Sequence, residues 1–198
     1  MLRLRLRLPA RGAILLMSVL IGVLALNVAA SSRLWAQTAV QTESIDPFGQ
    51  EVTLVPKSIV YMSGTATWDS AFDTLIDSFK TIYAYLDKTG TKTAGPAMTI
   101  YTSTDDTGFQ FQAAVPIEGT PADLPNEKLA LARSPEGKVL KFVHRGSYDA
   151  MDTTYEAITN YLDEKGLDAK DLFIEEYVTD PVKTAEDKLV INVFVPIK

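Results

Sequence analysis

The feature that most constrains the fold is a repeat of sequence patterns at a spacing of 80 residues. Val-Pro-Ile at residues 115–117 returns at residues 195–197, and Trp68-Asp69 returns as Tyr148-Asp149. Solenoid repeats stack units of about 20–50 residues in series, so this spacing is too long for a solenoid. Two copies instead predict one domain built around an internal pseudo-two-fold axis. Small-molecule sites favour seams of this kind, so the repeat points to a binding cleft between the halves.

Residues 1–36 have the three parts of a secretory signal peptide. Four arginines in the first eleven residues precede an apolar run over residues 13–30, and small and polar residues follow up to Gln37. We expect cleavage after Ala36, with Ala30 as the second choice. The apolar run approaches the roughly 18–20 residues that span a bilayer, so an uncleaved anchor is the alternative. In both cases the basic end stays in the cytoplasm, which predicts a periplasmic protein or an inner-membrane protein that faces the periplasm.

Loss of the leader changes the charge of the chain. Five of the 19 basic residues and none of the 25 acidic residues lie in the leader, so the exported part has 14 basic residues and a formal charge of −11. Nucleic-acid and anionic-lipid binding need clustered Lys and Arg, and we therefore expect no nucleic-acid partner and membrane contact only through an uncleaved leader. The chain has no cysteine, which excludes disulfides and thiolate metal sites.

The exported part is predicted to be a flexible linker followed by one domain. Residues 37–51 lack apolar periodicity and contain Pro47 and Gly49, as linkers do. The domain is expected over residues 52–198, with halves at about 52–118 and 127–198. Each half reads strand, helix, strand, strand, which predicts an α+β domain with an antiparallel sheet and one main helix per half. We also expect a hairpin between residues 128–133 and the strand that starts at Lys138.

The two predicted helices carry apolar stripes with the helical period. The first stripe runs from Trp68 to Leu86 and the second from Tyr148 to Leu162. Thr67 and Ser147 are the expected N-caps. Glycines at positions 90 and 166 are expected to end the helices.

Alternation along the strands predicts which side chains share a sheet face. In the last strand of each half, two apolar series are expected to face the helices: Phe111, Ala113 and Val115, and Ile191, Val193 and Val195. Applied to the other strands, the same alternation gives an opposite face rich in tyrosine and amide. Tyrosine offers a flat apolar surface with a hydroxyl group, and amides donate and accept hydrogen bonds. The predicted ligand-binding residues on that face are Tyr61, Tyr101, Gln112, Glu175, Tyr177, Asn192 and Phe194. An ordinary solvated sheet face is the alternative.

Three motifs of the second half together resemble a known family. They are Arg145-Gly146-Ser147-Tyr148 before the helix, Tyr-Val-Thr-Asp-Pro at residues 177–181, and the closing Val195-Pro196. This combination is similar to the gyrase-inhibitor-like (GyrI-like) effector-binding family, whose members occur as the ligand-sensing half of AraC-type and MerR-type regulators and as stand-alone proteins. The resemblance covers about residues 52–198 and implies two strand-helix-strand-strand modules around a ligand cleft.

The chain departs from the family pattern at a position where many relatives carry an acidic residue. Many relatives carry a carboxylate on the closing strand, and the matching positions here are interpreted as Gln112 and Asn192. Glu175 is then the one acid on the cleft face, which favours a neutral or hydrogen-bonding ligand with aromatic or apolar character. We expect no attached DNA-binding segment, so the leading hypothesis is an exported stand-alone small-molecule binding protein.

Signals for catalysis and cofactors are weak. His144 is the only histidine, and no Ser-His-Asp set, phosphate-binding glycine loop or metal-ligand spacing stands out. We therefore predict no catalytic residue, no metal and no cofactor. Two alternatives stay open: a hydrolase of small molecules that uses Glu175 with Tyr177 or Tyr101, as the resemblance implies for some members, and a membrane-tethered interaction domain with a closed cleft.

Overall fold

The computed structural model describes residues 48–121 and 128–198, so the predicted leader and most of the predicted linker lie outside the described residues. The described chain contains one eight-stranded sheet and two α-helices. All strand pairings are antiparallel, and the predicted α+β class is confirmed. The elements are β1 (Gln50–Leu54), β2 (Ser58–Thr67), α1 (Ala71–Thr89), β3 (Met98–Thr104), β4 (Gly108–Pro116), β5 (Ala130–Arg133), β6 (Gly137–Arg145), α2 (Met151–Lys165), β7 (Phe173–Tyr177) and β8 (Val190–Pro196).

The strand order shows the predicted internal symmetry. The sheet runs β1-β6-β8-β7-β3-β4-β2-β5, so each strand has a counterpart at the same distance from the centre. The central pair is β7 and β3, and the outermost strands are β1 and β5. The start of β1 at residue 50 and the start of β5 at residue 130 differ by 80 residues, the spacing of the sequence repeat. Each half therefore contains one short edge strand in addition to the predicted strand-helix-strand-strand unit.

The edge strands pair across the halves, which corrects the predicted hairpin. Strand β5 does not pair with β6, its neighbour in sequence, but with β2 of the first half, where Ala132 is opposite Ile59. Strand β1 pairs in turn with β6, where Val52 is opposite Val139. The pairing between neighbouring strands was predicted from their closeness in sequence alone. That criterion fails here because each edge strand extends the sheet of the other half.

Both helices begin and end close to the predicted positions. A short 3-10 turn precedes each one, Trp68–Ser70 before α1 and Tyr148–Ala150 before α2. Thr67 stands at the predicted cap position but makes no side-chain cap hydrogen bond, whereas the Ser147 side chain accepts from the Asp149 amide. Gly90 and Gly166 end the helices with φ angles of 66° and 63°. Glycine reaches this left-handed conformation without steric cost, which is why it ends helices.

The helices cover one face of the sheet. The two apolar series that were predicted to face the helices lie in the same buried cluster as Leu75, Phe79 and Ile158 of the helices, so this prediction is confirmed. The opposite face has its own buried apolar cluster, with Ile59 and Met98 among its members. In the described part of the chain, no helix is long and apolar enough to cross a membrane.

Candidate functional site

A cavity of about 810 Å³ lies beside the start of both helices and the centre of the sheet. The two 3-10 turns, the first residues of α1 and α2, strands β3 and β7, and the β3–β4 turn enclose it. Residues of both repeats therefore line the cavity. Its lining residues are Trp68, Asp69, Ala71, Tyr101, Thr104, Asp105, Asp106, Tyr148, Asp149, Met151, Asp152, Tyr155, Phe173 and Glu175.

Glu175 forms the floor of the cavity. It stands on β7 at the centre of the sheet, directly opposite Thr99 on β3, and its exposed fraction is 0%. In the strand register, Thr99 is opposite Ala113 and Glu175 is opposite Val193. Positions 113 and 193 are equivalent in the repeat. Thr99 and Glu175 are thus symmetry counterparts on either side of the pseudo-two-fold axis. One half contributes a hydroxyl group and the other a carboxylate.

Tyrosine hydroxyls surround the Glu175 carboxylate. Tyr155 on α2 donates to Oε1 at 2.7 Å, and Tyr177 on β7 donates to Oε2 at 2.9 Å. The hydroxyls of Tyr101 and Tyr148 hydrogen-bond each other at 2.9 Å. Phenol groups supply hydrogen-bond donors to an anion without adding a positive charge. The tyrosines therefore hydrogen-bond the carboxyl group without supplying a counter-charge.

The pKa of Glu175 reflects this balance. Burial raises the pKa of the carboxyl group above its usual range, and hydrogen bonds from the tyrosines, Tyr155 first and then Tyr177, oppose the rise. Burial likewise raises the pKa values of the four tyrosines well above the usual range, and the charge on Glu175 raises them further. The tyrosines are neutral donors at physiological pH. Perturbed groups of this kind in a cavity indicate a functional site.

Aromatic rings form the walls above the carboxylate. Tyr148 stacks on Phe72 with ring centroids 4.9 Å apart, and Tyr155 meets Phe173 edge-on at 6.0 Å. None of the described residues that line the cavity is a lysine, arginine or histidine. The arrangement therefore combines flat apolar walls with an acidic floor that has no basic partner in the lining.

Three of the seven predicted site residues were assigned to the wrong sheet face. Tyr101 and Tyr177 belong to the helix-side cluster, and Glu175 points to the same side. The reason is the register of the strands. Directly opposite residues of an antiparallel pair point to the same face, and Tyr101 is opposite Phe111, as Tyr177 is opposite Ile191. Tyr101 and Glu175 line the cavity, and Tyr177 is hydrogen-bonded to the carboxylate from the side.

The other four predicted residues lie on the opposite face, as expected, and outside the cavity. Phe194 is part of the second apolar cluster and Tyr61 packs against it. Gln112 stands opposite Ile100 of that cluster. The Asn192 amide donates to Glu176 Oε2 at 2.8 Å, and its exposed fraction is 9%. The structure therefore does not bring the seven residues together.

Sequence reasoning missed Trp68, Tyr148 and Tyr155 as site residues. All three were placed in the apolar stripes of the helices. A signal was present in the repeat, because Tyr155 occupies the position of the buried Leu75. A buried tyrosine needs a partner for its hydroxyl group, and here that partner is Glu175.

His144 has a structural role in the described chain. It is 4% exposed, and its ring nitrogens hydrogen-bond the Thr154 hydroxyl at 2.7 Å and the Ser147 carbonyl at 3.0 Å. These contacts join the end of β6 to the start of the 3-10 turn and to the first turn of α2. Among the described residues, no group of three or more histidine, aspartate and glutamate side chains is placed to hold a metal ion.

A family model described as the GyrI-like small molecule binding domain matches residues 50–198. The chain therefore belongs to the GyrI-like family, as the motifs of the second half indicated. No curated protein matches the sequence.

Solved structures show the same fold at low sequence identity. The C-terminal domain of EcmrR is 12% identical, with a TM-score of 0.64, and the alignment covers 76% of this chain and 96% of that one. A hydrolase encoded by lin2189 from Listeria innocua is 13% identical, with a TM-score of 0.56 and coverages of 81% and 96%. SAV2435 bound to tetraphenylphosphonium is 17% identical, with a TM-score of 0.54 and coverages of 77% and 94%.

Proposed function

We propose that this protein is an exported binding protein for a small aromatic cation, which it holds in the cavity above Glu175 without turnover. The observation that carries the proposal is the fully buried carboxylate on the cavity floor, with tyrosine donors and no basic residue in the lining. A buried charge without a counter-charge is costly. A cationic ligand supplies the counter-charge that the protein omits, and the aromatic walls supply the contact area.

The sequence alone favoured a neutral ligand, because Gln112 and Asn192 were matched to the family's acidic position. That argument depended on both residues facing the cleft. Both lie on the other face, whereas Glu175 lies on the cavity floor. The geometry therefore supports a cation. Tetraphenylphosphonium, the ligand in the SAV2435 structure, is a cation with aromatic groups, which agrees in kind with this choice. Export remains supported by the leader pattern alone.

One observation favours hydrolysis as a second candidate function. A carboxyl group with a raised pKa can act as a general acid or base near neutral pH, and Glu175 lies within hydrogen-bond distance of Tyr155 and Tyr177. A structural neighbour is described as a hydrolase. Turnover of a bound compound that depends on Glu175 would favour this function over binding alone.

Calorimetric titration with two ions of matched size and opposite charge tests the proposal. Tetraphenylphosphonium should bind, and tetraphenylborate should not, because the cavity floor is anionic. Glu175→Gln should weaken cation binding by about 100-fold or more, since a charge pair at about 4 Å contributes up to about 4 kcal/mol at an effective dielectric of 20. The control is Glu176→Gln, which removes the same charge one residue away on the other face. Equal affinities for both ions, or equal effects of the two variants, would overturn the proposal.

A further inference from the structure

We infer that His144 is a positioning residue of the cavity, which holds the hydroxyl groups of Tyr148 and Tyr155 in place. The inference rests on the proposed cation binding above Glu175 and adds a residue on which that binding depends. His144 stands near the end of β6, is 4% exposed and is not among the residues that line the cavity. It therefore acts on a ligand only through its neighbours.

The ring of His144 joins the two residues that directly precede these tyrosines. Nδ1 lies 2.7 Å from the Thr154 hydroxyl, and Nε2 lies 3.0 Å from the Ser147 carbonyl oxygen. Because a carbonyl oxygen only accepts hydrogen bonds, Nε2 carries the proton of its contact, and in the neutral ring Nδ1 accepts from Thr154. The ring therefore fixes the spacing between the 3-10 turn that carries Tyr148 and the start of α2, which carries Tyr155.

The hydroxyl groups of both tyrosines form hydrogen bonds at the centre of the site. Tyr155 donates to Glu175 Oε1 at 2.7 Å, and the hydroxyl of Tyr148 lies 2.9 Å from that of Tyr101. Hydrogen bonds weaken steeply as their angle departs from linearity, so a small rotation of the turn against the helix would loosen these contacts. A ligand would then have to order the tyrosines itself, at a cost in affinity.

The first half of the repeat has a glycine in place of the histidine. Gly64 is equivalent to His144, and Trp68 and Leu75 are equivalent to the two tyrosines. The Leu75 side chain has no hydrogen-bonding group, and the Trp68 indole donates to a backbone carbonyl at 2.9 Å. The half that must place two hydroxyl groups thus contains the hydrogen-bonding ring, and the half that places none has a glycine there.

The strand partners of these two positions differ in a matching way. Gly64 is opposite Phe111, and a Cβ atom at Gly64 would lie 2.6 Å from the Phe111 ring. His144 is opposite the smaller Ile191. The first half therefore fills this part of the core with an aromatic ring from β4, and the second half fills it with the imidazole ring from β6. The double variant His144→Gly, Ile191→Phe would copy the first-half pair and remove the hydrogen bonds without leaving a cavity.

The first test follows the protonation of Glu175 and needs no ligand. Carbon NMR across a pH series reports its carboxyl group, and Glu175→Gln assigns the signal. The double variant should raise the midpoint by about half to one pH unit, as Tyr155→Phe should, because a carboxylate that loses a donor binds its proton more tightly. In the Tyr155→Phe background most of this shift should vanish, whereas a shift from the charge of His144 itself would persist.

The second test is calorimetric titration of the purified protein with tetraphenylphosphonium at mildly alkaline pH. The double variant should bind it about fivefold more weakly, since each side chain that must be ordered lowers the affinity about two- to tenfold. His144→Gln should stay close to the parent, because its amide can both donate and accept. His144→Leu, which fills the space without hydrogen-bonding groups, should behave as the double variant does and replaces it if that variant does not fold.

Ser78→Ala is the control for lost stability alone. It removes a hydroxyl of α1 that is 2% exposed and donates to the Thr74 carbonyl at 2.8 Å, and it should change neither measurement. A parent-like midpoint and affinity in the variants that lack the imidazole would refute the positioning role, as would equal midpoint shifts in both backgrounds. If the parent does not bind tetraphenylphosphonium while the midpoint shifts occur as expected, the proposed function is refuted and the positioning of Tyr155 stands.

Discussion

Glu175→Gln should make the protein more stable while it weakens cation binding. The side chain is fully buried, and burial dominates the raised pKa of its carboxyl group. A raised native pKa means that the ionised form is the less stable form of the folded protein. The amide has the same shape and no charge. Its oxygen can accept from Tyr155, and its nitrogen can donate to the Tyr177 oxygen, so both hydroxyl contacts are kept.

The size of the effect follows from two opposing contributions. The burial of a carboxylate costs several kcal/mol in real proteins, and each of the two charge-assisted hydrogen bonds offsets about 1.5–3 kcal/mol. The direction of the pKa shift indicates that the burial cost is the larger. We expect a net gain of about 1–3 kcal/mol for the variant. For a domain of this size that corresponds to a Tm higher by about 2–10 °C.

Thermal unfolding across a pH series checks this reasoning. Because the native pKa of Glu175 is raised, the stability that protonation provides is present at low pH and is lost as the pH rises through the native pKa. Cation affinity should change in the opposite direction, since the cation needs the ionised form. Glu175→Gln should show neither change. A variant that melts below the parent at neutral pH would refute the argument, because the charge would then be a net stabiliser.

Four further outcomes are expected. Leu75→Ala removes a fully buried side chain of α1 and should destabilise the domain by about 2–5 kcal/mol in denaturant unfolding; an unchanged midpoint would mean that the stripe is not core. Tyr155→Phe deletes a hydrogen bond that lowers the pKa of Glu175, so the pKa should rise in the variant. In titrations at decreasing pH, the variant should therefore lose cation binding at a higher pH than the parent. Asn192→Glu should leave cation affinity unchanged, because it lies outside the cavity, but lower the melting temperature, because the new carboxylate would face Glu176. Mass spectrometry of the extracytoplasmic fraction should find a chain that starts at residue 37, whereas an intact N-terminus in membranes would favour an anchored domain.

Periodicity within one segment made much of the fold predictable. The 80-residue repeat identified the symmetry, and the helical stripes identified both helices with their glycine ends. The prediction of which side chains of β4 and β8 face the helices was also correct, because apolar and polar residues alternate regularly along both strands. The stripes and the alternation are local properties of the sequence, and the repeat can be found by comparing the sequence with itself.

Relationships between strands could not be obtained in this way. A shift of one residue moves a side chain to the other face, and β7 has only five residues, with Glu175 and Glu176 side by side in it. Alternation alone could not decide which of the two glutamates faces the helices. The register with β8 decides it, and that register is a long-range property. Most of the cavity's lining residues were missed for the same reason, since its three tyrosines come from three separate elements.

The exchange of edge strands between the halves has a consequence for how the chain folds. Gln50 in β1 pairs with Lys141, a partner 91 positions later, and Ser58 pairs with Arg133 across 75 positions. Contacts at such separations slow folding, because long loops must close first. Strand β1 has no partner until β6 of the second half has been synthesised, and β2 has no β5 beside it until then. Neither repeat is therefore an independent folding unit. The two copies should form and lose their structure in one cooperative step.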